Sequence, residues 1–140
     1  LHEFKAIAEY IAENYPSAKK IAEVGVGKVP DVAIEVQRLL PKCGVIVTDV
    51  AEQTELLVRV KFVHDDITEP NLNIYEGAAL IYSVRPPPEL QPYLLQVAQK
   101  AGADLLIKPL ASESMYLKGG NLINYQGIAF YVFRVKSKVM

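Results

Sequence analysis

The chain has 140 residues, enough for one folded domain with its own core. Hydrophobic residues make up 51% and charged residues 22%, which excludes a disordered chain, and 15 Lys and Arg against 16 Asp and Glu leave no overall field to draw nucleic acid. No apolar run reaches the roughly 18–20 residues that cross a bilayer, no basic-then-apolar signal opens the chain, and the single cysteine, Cys43, rules out an internal disulfide. A cytoplasmic protein is therefore expected. The first residue is Leu1 rather than methionine, so a short preceding leader is a further expectation. Arg134, Lys136 and Lys138 make the tail locally basic, which reads as a solvated end.

In chain order, His2–Tyr15 predicts an amphipathic helix, with Phe4, Ile7, Ala8, Ile11, Ala12 and Tyr15 at helical spacing and Pro16 ending it. Ile21–Pro30 (I-A-E-V-G-V-G-K-V-P) follows, and the rest of the chain is organised around it. A short apolar strand runs into Gly25 and Gly27, which can take backbone angles closed to other residues and leave no side chain between backbone and ligand. Pro30 has no amide hydrogen to lose and a φ suited to a first helical turn, so the helix over Pro30–Leu40 points its N-terminal end at the same spot. The turn is thus a candidate receiver for a nucleotide-type ligand, the plain alternative being a tight turn and nothing more. A dinucleotide fingerprint would want a third glycine where Pro30 stands, which weakens a nicotinamide reading.

Val45–Asp49 predicts a second buried strand ending in an acid, and Asp49 lies 22 positions after Gly27, near the roughly 20-residue offset at which an acid meets ribose hydroxyls. Ala51–Arg59 reads as a helical or irregular crossover and Val60–His64 as a third strand running into Asp65, Asp66, Ile67 and Thr68. His64 reads as a half-buried structural histidine, and a metal site over positions 64–66 is disfavoured because adjacent residues of an extended segment cannot all point inward. Thr68 is a candidate helix cap, with Glu69, Pro70 and Asn71 making a surface turn. No metal ligand set is predicted.

Gly77–Ser83 predicts the fourth strand. Arg85, Pro86, Pro87 and Pro88 then form a stiff, extended rim where open α/β sheets hold ligands. Arginine offers only donors, so Arg85 suits a carboxylate or phosphate; the alternative is that the prolines merely start the next helix while Arg85 faces solvent. Glu89–Ala101 is the next helix, with Pro92 tolerated in its first turn and Gly102 as its stop. Asp104–Lys108 is a fifth strand, Ser112–Leu117 has room for a short helix, and Leu122–Tyr125 with Ile128–Val135 reads as a hairpin around Gln126-Gly127.

Glu23-x-Gly25-x-Gly27 resembles the first motif of class I S-adenosylmethionine-dependent methyltransferases, although Val29 stands where that motif usually has a third glycine. Asp66 followed by Ile67 resembles the same family's pattern after the third strand, where an acid accepts from the adenine amino group and an apolar neighbour covers the ring. The combination E-V-G-V-G, T-D-V, H-D-D-I-T, I-Y-S-V-R-P-P-P-E-L and N-Y-Q-G identifies the chain as a member of a family of short, functionally uncharacterised archaeal proteins similar to these methyltransferases.

The resemblance covers nearly the whole chain and implies a doubly wound Rossmann-like α/β sheet of order 3-2-1-4-5-7-6, mostly parallel, closed by a C-terminal antiparallel hairpin over residues 1–140. It implies S-adenosylmethionine as cofactor, held by Glu23, Gly25, Gly27, Asp49, Asp66 and Ile67, with Arg85, Pro86 and Pro87 at the substrate. Amine methylation is not carried over, because Arg85 and Pro88 replace the Asn or Asp and the aromatic residue of amino-group methyltransferases. The chain has no large inserted lid, so a substrate platform must come from the proline rim, the Pro109–Gly120 segment or a second subunit. The leading expectation is a cofactor-binding domain with methyl transfer to an acceptor; the alternative is a non-catalytic nucleotide-binding or assembly module. A nicotinamide enzyme is a weaker third reading.

Overall fold

The computed structural model describes residues 2–27, 30–52, 60–111 and 114–135. Among the described residues seven strands make one sheet: β1 (Lys20–Val24), β2 (Gly44–Asp49), β3 (Lys61–His64), β4 (Leu80–Val84), β5 (Asp104–Lys108), β6 (Asn121–Tyr125) and β7 (Ile128–Phe133). Their order is β3-β2-β1-β4-β5-β7-β6, the order that the resemblance implied. Strands β1 to β5 pair in parallel, β7 runs antiparallel to β5, and β6 runs antiparallel to β7. The helices are α1 (His2–Asn14), α2 (Asp31–Leu39) and α3 (Gln91–Ala101).

Strand alternation sorts the apolar residues onto two faces. Ile21, Val45, Val47, Leu80, Tyr82 and Phe130 pack with α1 and α2, while Ala22, Val24, Ile46, Ile81, Leu105 and Ile107 pack with α3. Both faces of the central strands are therefore covered, as continuous apolar runs in a parallel sheet require. Each fully buried Leu or Ile here contributes about 1.5–3 kcal/mol. Tyr10 links α1 to the hairpin through edge-on contacts with Tyr125 and Phe130, at centroid distances of 5.5 and 4.9 Å. The Gln126-Gly127 turn has both φ values positive, 52° and 81°, the two-residue geometry whose twist matches the flanking strands.

Several boundaries differ from the sequence-based expectation, each for a local reason. β4 begins at Leu80, because Gly77 takes a φ of 83° and turns the chain before the strand. Pro88–Leu90 forms a single 3-10 turn ahead of α3, since the proline run supplies no amides for a regular first turn, and Pro92 lies within the opening of α3. β7 stops at Phe133, and Val135 instead donates its amide to Asp104 Oδ1 at 3.0 Å. Leu72–Tyr75 forms a 3-10 turn that was not anticipated, capped by the Asn71 side chain on the Asn73 amide. Of the expected crossover over Ala51–Arg59, residues 53–59 lie outside the described residues, as do residues 112–113 of the helix expected around Ser112–Leu117; residues 115–117 carry no regular structure. Lys136 and Lys138 of the basic tail also lie outside them.

Candidate functional site

The strand order reverses at β1, which has β2 on one side and β4 on the other. A crevice at the carboxyl ends of two such strands is where open α/β sheets receive ligands. A cleft of about 330 Å³ opens there, floored by Glu23 and the glycine turn, walled by Phe4 of α1 and Val84 of β4, and rimmed by Arg85. A larger cleft of about 660 Å³ lies at the opposite ends of the strands, between Pro16–Lys19 and Leu39–Cys43. Its described lining carries Lys19, Lys42 and Ser17 but no acid or histidine, and it lies away from the glycine turn.

The glycine turn is built by three hydrogen bonds. The Gly25 and Val26 amides both donate to the Thr48 carbonyl, at 2.8 and 3.0 Å, and the Gly27 amide donates to Asp49 Oδ2 at 2.8 Å. Gly25 and Gly27 have φ of +73° and +65°, a region that side chains strain to enter. A Cβ added at Gly27 would meet nothing within 4 Å, and one at Gly25 only Ser83 Oγ at 3.9 Å, so no protein contact demands glycine at either position. The bare backbone faces open space. Asp49 is shared: its other oxygen accepts from the Ala51 amide at 3.0 Å.

Glu23 is the buried acid of this site, only 4% exposed. Its register partner across the β1–β4 pair is Tyr82, and the Tyr82 hydroxyl, itself fully buried, donates to Glu23 Oε1 at 2.8 Å. Burial pushes the Glu23 carboxyl up to about 8; the Tyr82 hydrogen bond opposes this, and the like charges of Asp31 and Asp49 add to it. Burial also drives the Tyr82 phenol well above its ordinary range, with Glu23 adding to the effect, so it stays a donor.

At the end of β3 the two consecutive acids part. Asp65 turns inward, accepting the Asn71 amide at 3.0 Å and the Tyr75 hydroxyl at 2.7 Å. Asp66 faces outward and accepts twice from Thr68, from the hydroxyl at 2.7 Å and the amide at 2.9 Å, which hold its carboxyl below the ordinary carboxylate value. Thr68 thus takes part in a turn closed by Asp66. Ile67 is buried among the side chains that pack with α3. His64 points its Nε2 at the Val50 carbonyl, 2.7 Å away, so positions 64–66 diverge. Among the described residues no group of three or more His, Cys, Asp or Glu side chains converges as a metal site.

Arg85 takes a φ of 53°, unusual for a residue with a side chain, while its amide donates to Lys108 O at 2.6 Å. Its Nη2 donates to both carboxylate oxygens of Glu3, at 2.8 Å each. The carboxylate clamp expected of this arginine is thus filled from within the chain, by the first turn of α1. Pro86 is buried and Pro87 exposed, so the rim presents one proline and packs the other. Sequence reasoning did not reach Tyr82, Phe4 or Glu3. Tyr82 was legible in principle: in the order implied by the resemblance β1 neighbours β4, and Tyr82 stands two residues before Val84 as Glu23 stands two before Gly25.

Comparison with known proteins agrees with this picture at the level of fold. Residues 4–135 match the profile described as Uncharacterised protein family (UPF0146). The chain belongs to the UPF0146 family. A UPF0146 protein of Archaeoglobus fulgidus is 48% identical over 130 residues, covering 91% of this chain and 92% of that relative. Among solved structures, an RNA methyltransferase from Salinibacter ruber in complex with S-adenosyl-L-homocysteine superposes with a TM-score of 0.63 at 11% identity, over 96% of this chain and 93% of that one. TrmN from Thermus thermophilus gives a TM-score of 0.56 at 15% identity, and this chain spans only 47% of its length. The UPF0146 chain therefore has the methyltransferase-like Rossmann fold with little added to it. No helix among the described residues is long and apolar enough to cross a membrane.

Proposed function

We propose that this protein binds S-adenosylmethionine in the cleft between β1 and β4 and, in the cytoplasm, transfers its methyl group to an acceptor. The observation that carries the reading is the bare, left-handed glycine turn lying directly against a buried carboxyl at the point where the strand order reverses. These residues fit such a ligand: open space above Gly27 leaves room for it, and Glu23 offers the negative partner that a cationic methionine end calls for. When bound, S-adenosylmethionine supplies a methyl group already activated on sulfonium.

In this reading Glu23, Gly25 and Gly27 hold the methionine end and Asp49 meets the ribose hydroxyls while steadying the turn through the Gly27 amide. Asp66 keeps one carboxylate oxygen free of Thr68 for the adenine amino group, with Ile67 packed beside it. Arg85, Pro86 and Pro87 form the acceptor side. Methyl transfer depends chiefly on placing the acceptor in line with the sulfonium, so these groups act by position and no dedicated base is required. An anionic acceptor would exchange with Glu3 for the Arg85 guanidinium.

Calorimetric titration tests the reading, with S-adenosylmethionine and S-adenosylhomocysteine set beside NAD and ATP and with Asp49→Ala as control. Saturable binding of the adenosyl ligands alone, weakened at least tenfold by the substitution, supports it. A folded protein that binds none of them overturns it, and the fold then serves as an assembly module.

A further inference from the structure

Glu23 sits on the floor of the cleft with one hydrogen bond from the described residues, the 2.8 Å donation from Tyr82. Every other described charge facing it is unhelpful. Asp31 in the first turn of α2 and Asp49 at the end of β2 are negative, and the Arg85 guanidinium on the same rim is clasped by Glu3 of α1. A buried carboxylate with one neutral donor and two like charges cannot remain ionised at low cost. No described side chain supplies the balancing cation, so the balance is made by a proton or by a cation that enters through the open cleft.

We propose that Glu23 exchanges its proton for a cationic small molecule as that ligand enters the cleft, and that Tyr82 is the positioning residue that aims the carboxyl and sets the pH at which the exchange occurs. The inference rests on the adenosyl-ligand reading and deepens it by naming the charge that the site selects. In the exchange the O–H bond of the Glu23 carboxylic acid breaks, one proton leaves to solvent, and the carboxylate formed pairs with an ammonium or sulfonium. Tyr82 keeps its own proton throughout and continues to donate to Oε1. The carboxyl raised to about 8 by burial agrees with this geometry, since the free protein holds the proton at neutral pH.

The test is calorimetry of S-adenosylmethionine binding to the full chain in MES and in ACES, zwitterionic buffers of different ionisation heat, across the pH range below 7.5 that both hold. The ligand's ammonium keeps most of its charge across that range. The expected result is release of close to one proton per ligand, with affinity rising about tenfold per pH unit. Glu23→Gln removes both the proton release and the pH slope. Tyr82→Phe removes the hydrogen bond that holds the Glu23 value down, so the same rise moves to higher pH and affinity at pH 7 falls several-fold. A purely structural Tyr82 would lower the melting temperature without moving that curve. The proton count is read on the unaltered protein, so the test stands even where Tyr82→Phe does not fold. Binding with no proton release and no pH slope overturns the exchange and leaves the adenosyl reading intact; no binding at any pH by a folded protein overturns both.

Discussion

Two buried acids at the carboxyl ends of the parallel strands that flank β2 have opposite fates. Asp65, after β3, is 8% exposed, and both of its oxygens are engaged, one by the Asn71 amide and one by the Tyr75 hydroxyl. Glu23, at the end of β1, is 4% exposed and also meets a tyrosine, yet it takes no backbone amide from the described residues and opens onto a cleft. Burial and a phenol partner are common to both. What separates them is completion: Asp65 is sewn into the loop that follows β3, whereas Glu23 is left one partner short where a ligand would enter.

The largest break in this comparison is thermodynamic and comes from pH. Burial lifts Glu23 from its ordinary 4.5 to about 8, so the folded chain keeps a proton that the unfolded chain gives up between those values. Its contribution to stability is whole below about pH 4.5, declines as pH rises towards 8 and is level above. Glu23→Gln, which mimics the protonated acid, should therefore match the parent near pH 4.5 and exceed it by a few kcal/mol at pH 8 to 9, measured by urea unfolding across that range. A constant difference at all pH values would mean that Glu23 is ionised in the fold and that the contrast with Asp65 is wrong.

Asp65→Ala should act the other way, with a cost of about 1–3 kcal/mol, because it leaves the Asn71 amide without its acceptor and the Tyr75 hydroxyl with only the longer 3.4 Å contact to Thr48 Oγ1. Burial also raises the Tyr75 phenol well above its ordinary value, so across the stable pH range the hydroxyl remains a donor that needs an acceptor. Urea midpoints of Asp65→Ala and of Asp65→Ala/Tyr75→Phe check this, since removing both partners should recover part of the loss. Equal loss in both variants would place the cost elsewhere in the loop.

The fold was legible because several local signals agreed with it. The apolar runs of β1, β2, β4 and β5, the stops at Pro16 and Gly102 and the Gln126-Gly127 turn each follow from short-range chemistry, and the family resemblance supplied the strand order. The site was legible only as far as backbone chemistry carried it. Gly25 and Gly27 announce a turn, and Asp49 lies at a spacing that brings it to the Gly27 amide. Tyr82 was legible only through the implied strand order and not from local chemistry, since a tyrosine within an apolar strand reads as core until the register sets it opposite Glu23. The Glu3–Arg85 pair spans 82 positions and joins a helix to a loop, a contact that no periodicity encodes.

That pair sets the smallest expected effect. Arg85 is 46% exposed at the side chain and Glu3 20%, so their bidentate contact is screened and worth under about 1 kcal/mol. Glu3→Gln should lower the urea midpoint by no more than that, with less effect in high salt, and should leave S-adenosylmethionine affinity within about twofold. It should also free the guanidinium, so that inorganic phosphate followed by NMR perturbs the Arg85 signals at lower concentration than in the parent, an effect that Arg85→Ala abolishes. A Glu3→Gln cost above about 2 kcal/mol would instead make the clasp part of the scaffold. Glu3 would then belong with Asp65 among the acids whose partners are fixed, in contrast to Glu23, which has a single hydrogen bond from the described residues and opens onto the cleft.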